Sequence, residues 1–428
     1  MLKVIEQKNQ RDLVEKLLSR SQMNDEKVNQ TVEIIVKAVK AYGDEALFNY
    51  TKALDGADLS ALRVSDQEMK DAITSVDPRL LEDLKKAMAN IWFYHEKQVL
   101  KPFEYEKEKG IIIGQRVSAI QSVGVYVPGG TAAYPSTVLM NVIPAKIAGV
   151  KRIVMITPPG RDGSINPNIL AAASLAGVDE IYKVGGAQGI AALAYGTASI
   201  PKVSKIVGPG NMYVAMAKKM VSGDVGIDLI AGPSEVLIIA DEKANPRYIA
   251  CDLMAQAEHD PYAAAILVTN SRTLATAVNQ MIEEEITSLS RKEIIEMSFN
   301  NFGSIILVEN LDEAVNISNR IAPEHLEILT EDMMQVFDNI ENAGSIFLGS
   351  YTPEPVGDYF AGPNHTLPTS GTATFSSALS VLDFTKKSSY VKYTKEALSD
   401  AKESIIRLAE SEKLTAHARA IEVRFRKS

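Results

Sequence analysis

The feature that most constrains the fold is an alternation of short β-branched runs with Ala-rich stretches, beginning near Gly114. The runs lie at 123–127, 152–156, 180–184, 205–207, 236–240, 265–269 and 304–308, and helical spacing marks 169–176, 191–195, 213–221 and 248–257 between them. Apolar runs this short fit strands covered on both faces, and a helix between successive strands returns the chain for parallel pairing. The alternation therefore predicts an α/β fold with parallel-rich sheet. The Gly- and Ala-rich portion 123–239 reads as a compact unit, and pattern alone leaves open whether later strands join its sheet or form another. The first 110 residues read as helical, with apolar spacing at 28–42 and 80–94, and so does the charged C-terminal stretch, most clearly at 396–408. At roughly 100–200 residues per domain, a chain of 428 residues is expected to hold two or three folding units.

Charge and cysteine content narrow the function classes. A net charge of −9 with only isolated basic pairs, such as Lys218-Lys219 and Lys386-Lys387, offers no basic stripe for nucleic acid. The one cysteine, Cys251, allows neither an intramolecular disulfide nor a Cys-rich zinc module. The polar N-terminus lacks an apolar signal core, and no apolar stretch is long enough to span a membrane. A cytoplasmic protein without a membrane partner is expected.

Three strand–glycine junctions stand out. Gly185-Gly186-Ala187-Gln188-Gly189 and Gly208-Pro209-Gly210-Asn211 each follow a strand and open a helix, and Tyr126 with Pro128-Gly129-Gly130 follows another strand. Backbone N–H groups at such junctions suit a pyrophosphate. Neither full cluster fits G-x-G-x-x-G, so glycines that merely permit tight turns remain an equal reading. Three junctions together favour a ligand crevice at the strand ends.

The chain has five histidines, few enough to weigh singly. His95, after Trp92-Phe93-Tyr94 on a charged helix, reads as a surface or packing residue. Gln256 and His259 lie three apart at a helix end, so an amide oxygen and an imidazole share one face and could meet one metal; a capping histidine before Asp260-Pro261 is the alternative. Pro323 stops a helix and leaves Glu324-His325 on a loop, a pairing suited to acid–base work near neutral pH. The Pro/Gly-rich stretch 353–368 carries Asp358 and His365, and long ordered loops are commonly functional. Glu412 and His417 sit on a charged segment that by itself reads as a solvated face.

Together these blocks resemble the histidinol dehydrogenase family. The match runs through Gly124-Val125-Tyr126-Val127-Pro128-Gly129-Gly130, the clusters at 185–189 and 208–213, and Ala231-Gly232-Pro233-Ser234-Glu235. It continues through Gln256 with His259, 322–326, Gly357-Asp358-Tyr359, Asn364-His365 and Leu414-Thr415-Ala416-His417, in family order across 124–417. Lys413 stands where a small residue is expected.

The resemblance implies zinc-dependent oxidation of L-histidinol to L-histidine through L-histidinaldehyde, with two NAD⁺, as the last step of histidine biosynthesis. It implies Gln256, His259, Asp358 and His417 as ligands of one Zn²⁺ per subunit, and Glu324 and His325 as the acid–base pair. Ser234, His365 and Glu412 would join the ligands and His325 around the substrate, and Tyr126, Gln188 and Asn211 would contact NAD⁺. The implied fold is α/β, with two incomplete Rossmann-like domains plus small helical N- and C-terminal segments. Its expected divisions are 1–22, a main domain of 23–127 with 236–376, an inserted domain at 128–235, and a tail at 377–428. The tail would cross into the partner of an intertwined homodimer with shared sites. A cysteine thioester route would need Cys251, which a straight helix turns about 140° from Gln256 and which is expected in the core. Two rivals have separate requirements. A zinc hydrolase would need neither glycine cluster, and a nucleotide-binding structural protein would not need Glu324 and His325.

Overall fold

The strand Glu235–Ala240 is buried along its whole length, and its side chains divide by parity. Val236, Ile238 and Ala240 enter one core with Ile249 and Leu253 of the helix Pro246–Ala257. Leu237 and Ile239 enter another with Ile317 and Ile321 of the helix Leu311–Ile321. Successive residues of a strand point to opposite faces, so an unbroken apolar run demands a cover on each side. Each valine, leucine or isoleucine side chain among them contributes about 1.5–3 kcal/mol on burial. An exposed ion pair such as Arg247–Glu284 gives about 1 kcal/mol or less. The sheet faces hold the fold; the surface charges do not.

The computed structural model describes residues 2–6, 14–17, 26–129 and 134–426; Gly130 and most of the segment 1–22 lie outside them. Among the described residues this strand belongs to a six-stranded parallel sheet. Its order is Lys3–Ile5, Ser304–Leu307, Ala264–Thr269, Glu235–Ala240, His325–Leu329, Ser345–Leu348. A second, five-stranded parallel sheet runs Glu180–Lys183, Arg152–Thr157, Ser122–Tyr126, Lys205–Val207, Gly226–Ile227. The later strands thus form a sheet of their own, and the α/β class expected from the alternation holds.

The two sheets share one plan. In each, the first strand of the α/β run lies inside, the next two are laid to one side, and the following two to the other. Strand order therefore reverses beside Ser122–Tyr126 in one sheet and beside Glu235–Ala240 in the other. Open α/β sheets hold ligands at such reversals. The helix Glu26–Tyr42 buries Val32, Ile35 and Val39 in one core with Ile190, Leu193 and Val214, so it covers the five-stranded sheet's helices with its apolar stripe.

Contacts divide the chain into two compact units, Met1–Gln98 with Ile120–Phe384, and Val99–Ala119 with Thr385–Ser428. The first holds both parallel sheets. The second holds an antiparallel sheet in the order Thr385–Tyr393, Ile111–Ala119, Phe103–Glu108, and the helices Lys395–Ser411 and Thr415–Glu422 joined through Ile406, Ala409 and Ala418. Lys3–Ile5, Phe103–Glu108 and Thr385–Tyr393 are strands inside stretches that read as helical. Phe103–Glu108 and Thr385–Tyr393 expose nearly every residue, so they lack the apolar alternation that marks a half-buried strand. No helix among the described residues is long and apolar enough to cross a membrane.

Candidate active site

The helix Leu311–Ile321 stops because Ala322 enters the left-handed region at φ 49 and Pro323 has no N–H with which to continue it. The chain resumes as the strand His325–Leu329, which places Glu324 and His325 at the amino edge of the six-stranded sheet. Ser234 precedes the paired strand Glu235–Ala240 at the same edge. Glu324 and His325 are 6% and 3% exposed. The backbone of Glu235 holds both: its N–H donates to Glu324 Oε2 at 3.0 Å, and its carbonyl lies 3.1 Å from His325 Nδ1. A carbonyl can only accept, so Nδ1 carries the hydrogen and Nε2 is left for chemistry. Nε2 lies 3.6 Å from Asp358 Oδ1.

Burial pushes Glu324 up to about 7. Burial also opposes a charged His325, but the carboxylates of Glu354, Glu324 and Asp358 outweigh it and hold the imidazolium well above its ordinary value. Glu324 Oε2 and His325 Nδ1 stand 3.7 Å apart.

Asp358 comes from a turn that its neighbours immobilise. Glu354–Val356 forms one helical turn that widens into the π-type turn Gly357–Ala361, so Glu354 and Asp358, four residues apart, share a side. Gly357 is required by close approach, because a Cβ there would stand 2.6 Å from the Phe347 ring. Asn90 Nδ2 donates to the Phe360 carbonyl at 2.8 Å. Asn364 Nδ2 donates to the Met140 carbonyl at 2.6 Å and to His95 Nε2 at 3.3 Å. His95 is therefore a buried packing residue that fixes the loop. His365 Nδ1 donates to the Asp358 carbonyl at 3.0 Å, and burial lowers its pKa, so the ring stays neutral.

Gln256 lies near the end of the helix Pro246–Ala257, and the His259 N–H donates to its carbonyl at 3.3 Å. A ring nitrogen of the exposed His259 and carboxylate oxygens of Glu354 and Asp358 all lie within 4.8 Å of one another. Gln256 is fully buried, yet neither atom of its carboxamide has a hydrogen-bond partner, and Glu354 Oε2 is likewise unpaired. A buried polar group left unpaired costs about 1–3 kcal/mol. Burial also pushes Glu354 up to about 8. A divalent cation would offset the costs at the two acceptors, the Gln256 amide oxygen and the Glu354 carboxylate, and a set of imidazole nitrogen, carboxylate and amide oxygen suits zinc. The residues present fit the metal that the resemblance implies. Glu354 is not among the sequence-derived candidates. Its signal is the four-residue spacing from Asp358, meaningful only once 354–358 is known to be helical.

The expected coenzyme residues gather at the carboxyl edge of the five-stranded sheet. Tyr126 ends its strand, Gln188 lies in the first turn of Gly186–Tyr195, and Asn211 caps Met212–Val221 by accepting from the N–H groups of Tyr213 and Val214 at 3.0 and 3.2 Å. The Tyr126 hydroxyl accepts from the Gly186 N–H at 3.5 Å, and burial pushes the phenol up to about 12. Gln188 is 1% exposed, and its Oε1 has no partner. Gly208 is needed for packing whatever binds there: its φ is 115, and a Cβ would fall 2.1 Å from the Tyr126 carbonyl oxygen. Its N–H donates to Asp228 Oδ2 at 2.8 Å, and its carbonyl accepts from Lys218 Nζ at 2.9 Å. Lys218 and Asp228 form a buried ion pair with each other.

Glu412 and His417 belong to the second unit. Glu412 is the C-cap of Lys395–Ser411, and His417 lies in the first turn of Thr415–Glu422; both are exposed. Lys413 between them adopts φ 61, a left-handed conformation that accounts for the expected small residue. Cys251 is exposed, not packed in the core as expected. Partial burial and then the charges of Glu285 and Asp252 push its thiol up, away from the reactive thiolate.

The family model for histidinol dehydrogenase matches residues 18–425. Histidinol dehydrogenase of Clostridium acetobutylicum is 55% identical over 96% of this chain and 95% of its own length. That of Listeria monocytogenes is 56% identical over 94% of each. The crystal structure of histidinol dehydrogenase from Elizabethkingia anophelis superposes with a TM-score of 0.93 at 38% identity, covering 99% of this chain and 98% of that one. With its two-sheet plan, its buried Glu–His pair and its zinc-compatible donors, the chain belongs to the histidinol dehydrogenase family.

Proposed function

We propose that this chain oxidises L-histidinol to L-histidine at a zinc centre held by Gln256, His259, Asp358 and His417, with His325 as base and Glu324 as the group that activates water. Family membership carries the NAD-dependent conversion of histidinol to histidine and the use of Zn²⁺ and NAD⁺. Turning a primary alcohol into a carboxylate removes four electrons. The reaction therefore consumes two NAD⁺ and passes through the aldehyde, L-histidinaldehyde. The observation that carries the reading is the cluster of His259, Glu354 and Asp358, with the fully buried, unpartnered Gln256 carboxamide three residues before His259.

A bound zinc would supply a Lewis acid that fixes the substrate's imidazole and amine beside the acid–base pair, and orientation of this kind is worth several kcal/mol, up to about 7–11. Once Glu354 and Asp358 face a cation, His325 loses two of the three carboxylate charges that raise its pKa, which lowers it toward the range of a working base. The Glu235 carbonyl keeps Nδ1 protonated, so the alcohol proton goes to Nε2. Glu324, held by the Glu235 N–H and pushed up to about 7, suits removal of a proton from water that adds to the aldehyde. Ser234, His365 and Glu412 are assigned to the substrate, and Tyr126, Gln188 and Asn211 to NAD⁺. Glu412 and His417 would come from the C-terminal segment of a second copy in a homodimer. The exposed Cys251, with its raised pKa, is unsuited to a thioester route.

The test is NADH formation by purified protein with histidinol and NAD⁺. About two NADH per histidinol are expected, lost on chelation and restored by zinc. Zinc-loaded protein that forms no NADH would overturn the reading.

A further inference from the structure

The coenzyme edge holds an acid that the assignments above do not use. Asp55 closes the π-type turn Thr51–Asp55 and precedes Gly56, whose φ is 72. Its Oδ2 is shielded from solvent and has no hydrogen-bond partner. Its neighbours fix its place. A Cβ on Gly56 would meet the Arg161 side chain at 3.4 Å, and one on Gly163 would meet Leu59 at 3.0 Å, so the segment 55–59 lies against the loop 158–163. That loop leaves the carboxyl end of Arg152–Thr157, the strand paired with Ser122–Tyr126. Pro158 in the same loop stands 2.5 Å from the Cβ position of Gly129 and 2.6 Å from that of Gly185. The Asp55 charge also reaches the Tyr126 hydroxyl. Asp55, Tyr126, Pro158 and Gly185 thus share one edge of the sheet.

The same edge has other buried acceptors without donors, Thr157 Oγ1 and Gln188 Oε1. In a dinucleotide-binding sheet, the acid that reads the adenosine ribose follows the second strand. Here that position reads Thr157-Pro158-Pro159-Gly160 and holds no acid. The next carboxylate, Asp162, accepts from the Ser164 N–H and hydroxyl at 3.0 and 2.8 Å. Asp55 reaches the vacant place from a distant part of the chain.

We propose that Asp55 accepts from the vicinal hydroxyls of the adenosine ribose and makes the enzyme choose NAD⁺ over its 2′-phosphorylated form. The proposal rests on the reading that Tyr126, Gln188 and Asn211 contact the coenzyme. A ribose diol supplies two adjacent O–H donors to an unpaired carboxylate. A 2′-phosphate removes one donor and brings like charge against Asp55, which is discrimination by repulsion as well as by lost contact. Arg161, beside Gly56, is placed to receive that phosphate once the carboxylate is gone.

The experiment uses full-length, zinc-loaded Asp55→Asn at saturating histidinol with varied NAD⁺ and NADP⁺, beside Asn211→Ala as a control for the coenzyme site. In Asp55→Asn, the KM for NAD⁺ should rise about tenfold, with kcat within about twofold, and the NADP⁺/NAD⁺ ratio of kcat/KM should rise at least about tenfold. The KM for histidinol should stay unchanged. The unfolding temperature without coenzyme should not fall, because a half-buried acid with an unpaired, shielded oxygen is being removed. A purely structural role would instead lower that temperature and raise KM for both substrates, and this outcome overturns the proposal. Unchanged coenzyme parameters in Asp55→Asn, with a raised KM for NAD⁺ in Asn211→Ala, overturn the proposal alone. Unchanged values in both variants overturn the coenzyme-site reading with it.

Discussion

His325 hangs from the main chain of Glu235, with Nδ1 3.1 Å from the carbonyl oxygen of a residue 90 positions earlier. The same residue's N–H holds Glu324, so one strand end orients both members of the proposed acid–base pair. Replacing His325 by Asn keeps a donor for that carbonyl but removes the group proposed to take the alcohol proton. His325→Asn should lower kcat by about 10²–10⁴ while leaving the KM for NAD⁺ nearly unchanged. Steady-state NADH formation reads both, and a kcat within a few-fold of the parent would remove His325 from the base role.

Gly208 separates a packing requirement from a binding one. A methyl group there meets the Tyr126 carbonyl oxygen at 2.1 Å, at a φ of 115 that side chains rarely adopt. Relief means moving either the strand end or a peptide clamped by Lys218 and Asp228. Gly208→Ala should destabilise by more than about 1 kcal/mol, seen as a fall of several degrees in unfolding temperature even without coenzyme. An unchanged melting curve would show that the glycine serves only the ligand.

Exposure of Cys251 gives a chemical test of the water route. A thiol-specific reagent should label it in the native protein, and the labelled enzyme should still form two NADH per histidinol. Cys251→Ala should turn over within about twofold of the parent. Selective loss of the second oxidation in either case would point back to a thioester.

The inner strands of both parallel sheets are legible because burial on two faces leaves unbroken apolar runs, as at Glu235–Ala240 and Ala264–Thr269, whereas the edge strands Lys3–Ile5, Gly226–Ile227 and Ser345–Leu348 are not. What the runs did not reveal was which edge of each sheet carries chemistry. Glu324 and His325 lie at the amino edge, and only the pairing of His325 with Val236 brings them to the Glu235 peptide. Such contacts span about ninety residues and leave no local trace. Helical periodicity likewise turned Cys251 away from Gln256 but could not say that solvent lay on that side. Glu354 stayed hidden for a related reason: two flanking prolines read as loop, whereas Pro355 falls within a first helical turn, where its missing N–H costs nothing.

Asp55 makes a pH prediction with a definite sign. Burial pushes its carboxyl from an ordinary 3.8 up to about 6 in the coenzyme-free protein. The folded state then binds the proton more tightly than the unfolded chain, so this group's contribution to stability falls as pH rises from 3.8 through about 6. Asp55→Asn removes that loss. Its unfolding temperature relative to the parent should climb between pH 4 and pH 7, and saturating NAD⁺ should shrink the difference. A gap that stays constant with pH would mean that Asp55 titrates as an ordinary surface acid.

The exposed His417 and Glu412 belong to the second compact unit, whereas His259, Glu354 and Asp358 belong to the first. If the C-terminal segment serves the site of a second copy, two inactive variants can rescue each other. His417→Asn should lose zinc through its tail and Asp358→Asn through its core, each with the fold intact by circular dichroism. In a mixed dimer, one site collects both defects and the other collects neither. Co-refolding equal amounts should therefore restore about a quarter of parental activity, since half of random pairings are mixed and each has one sound site. Zinc content should recover in the same proportion. If each copy used its own tail, every site in the mixture would carry one defect, and no activity would return.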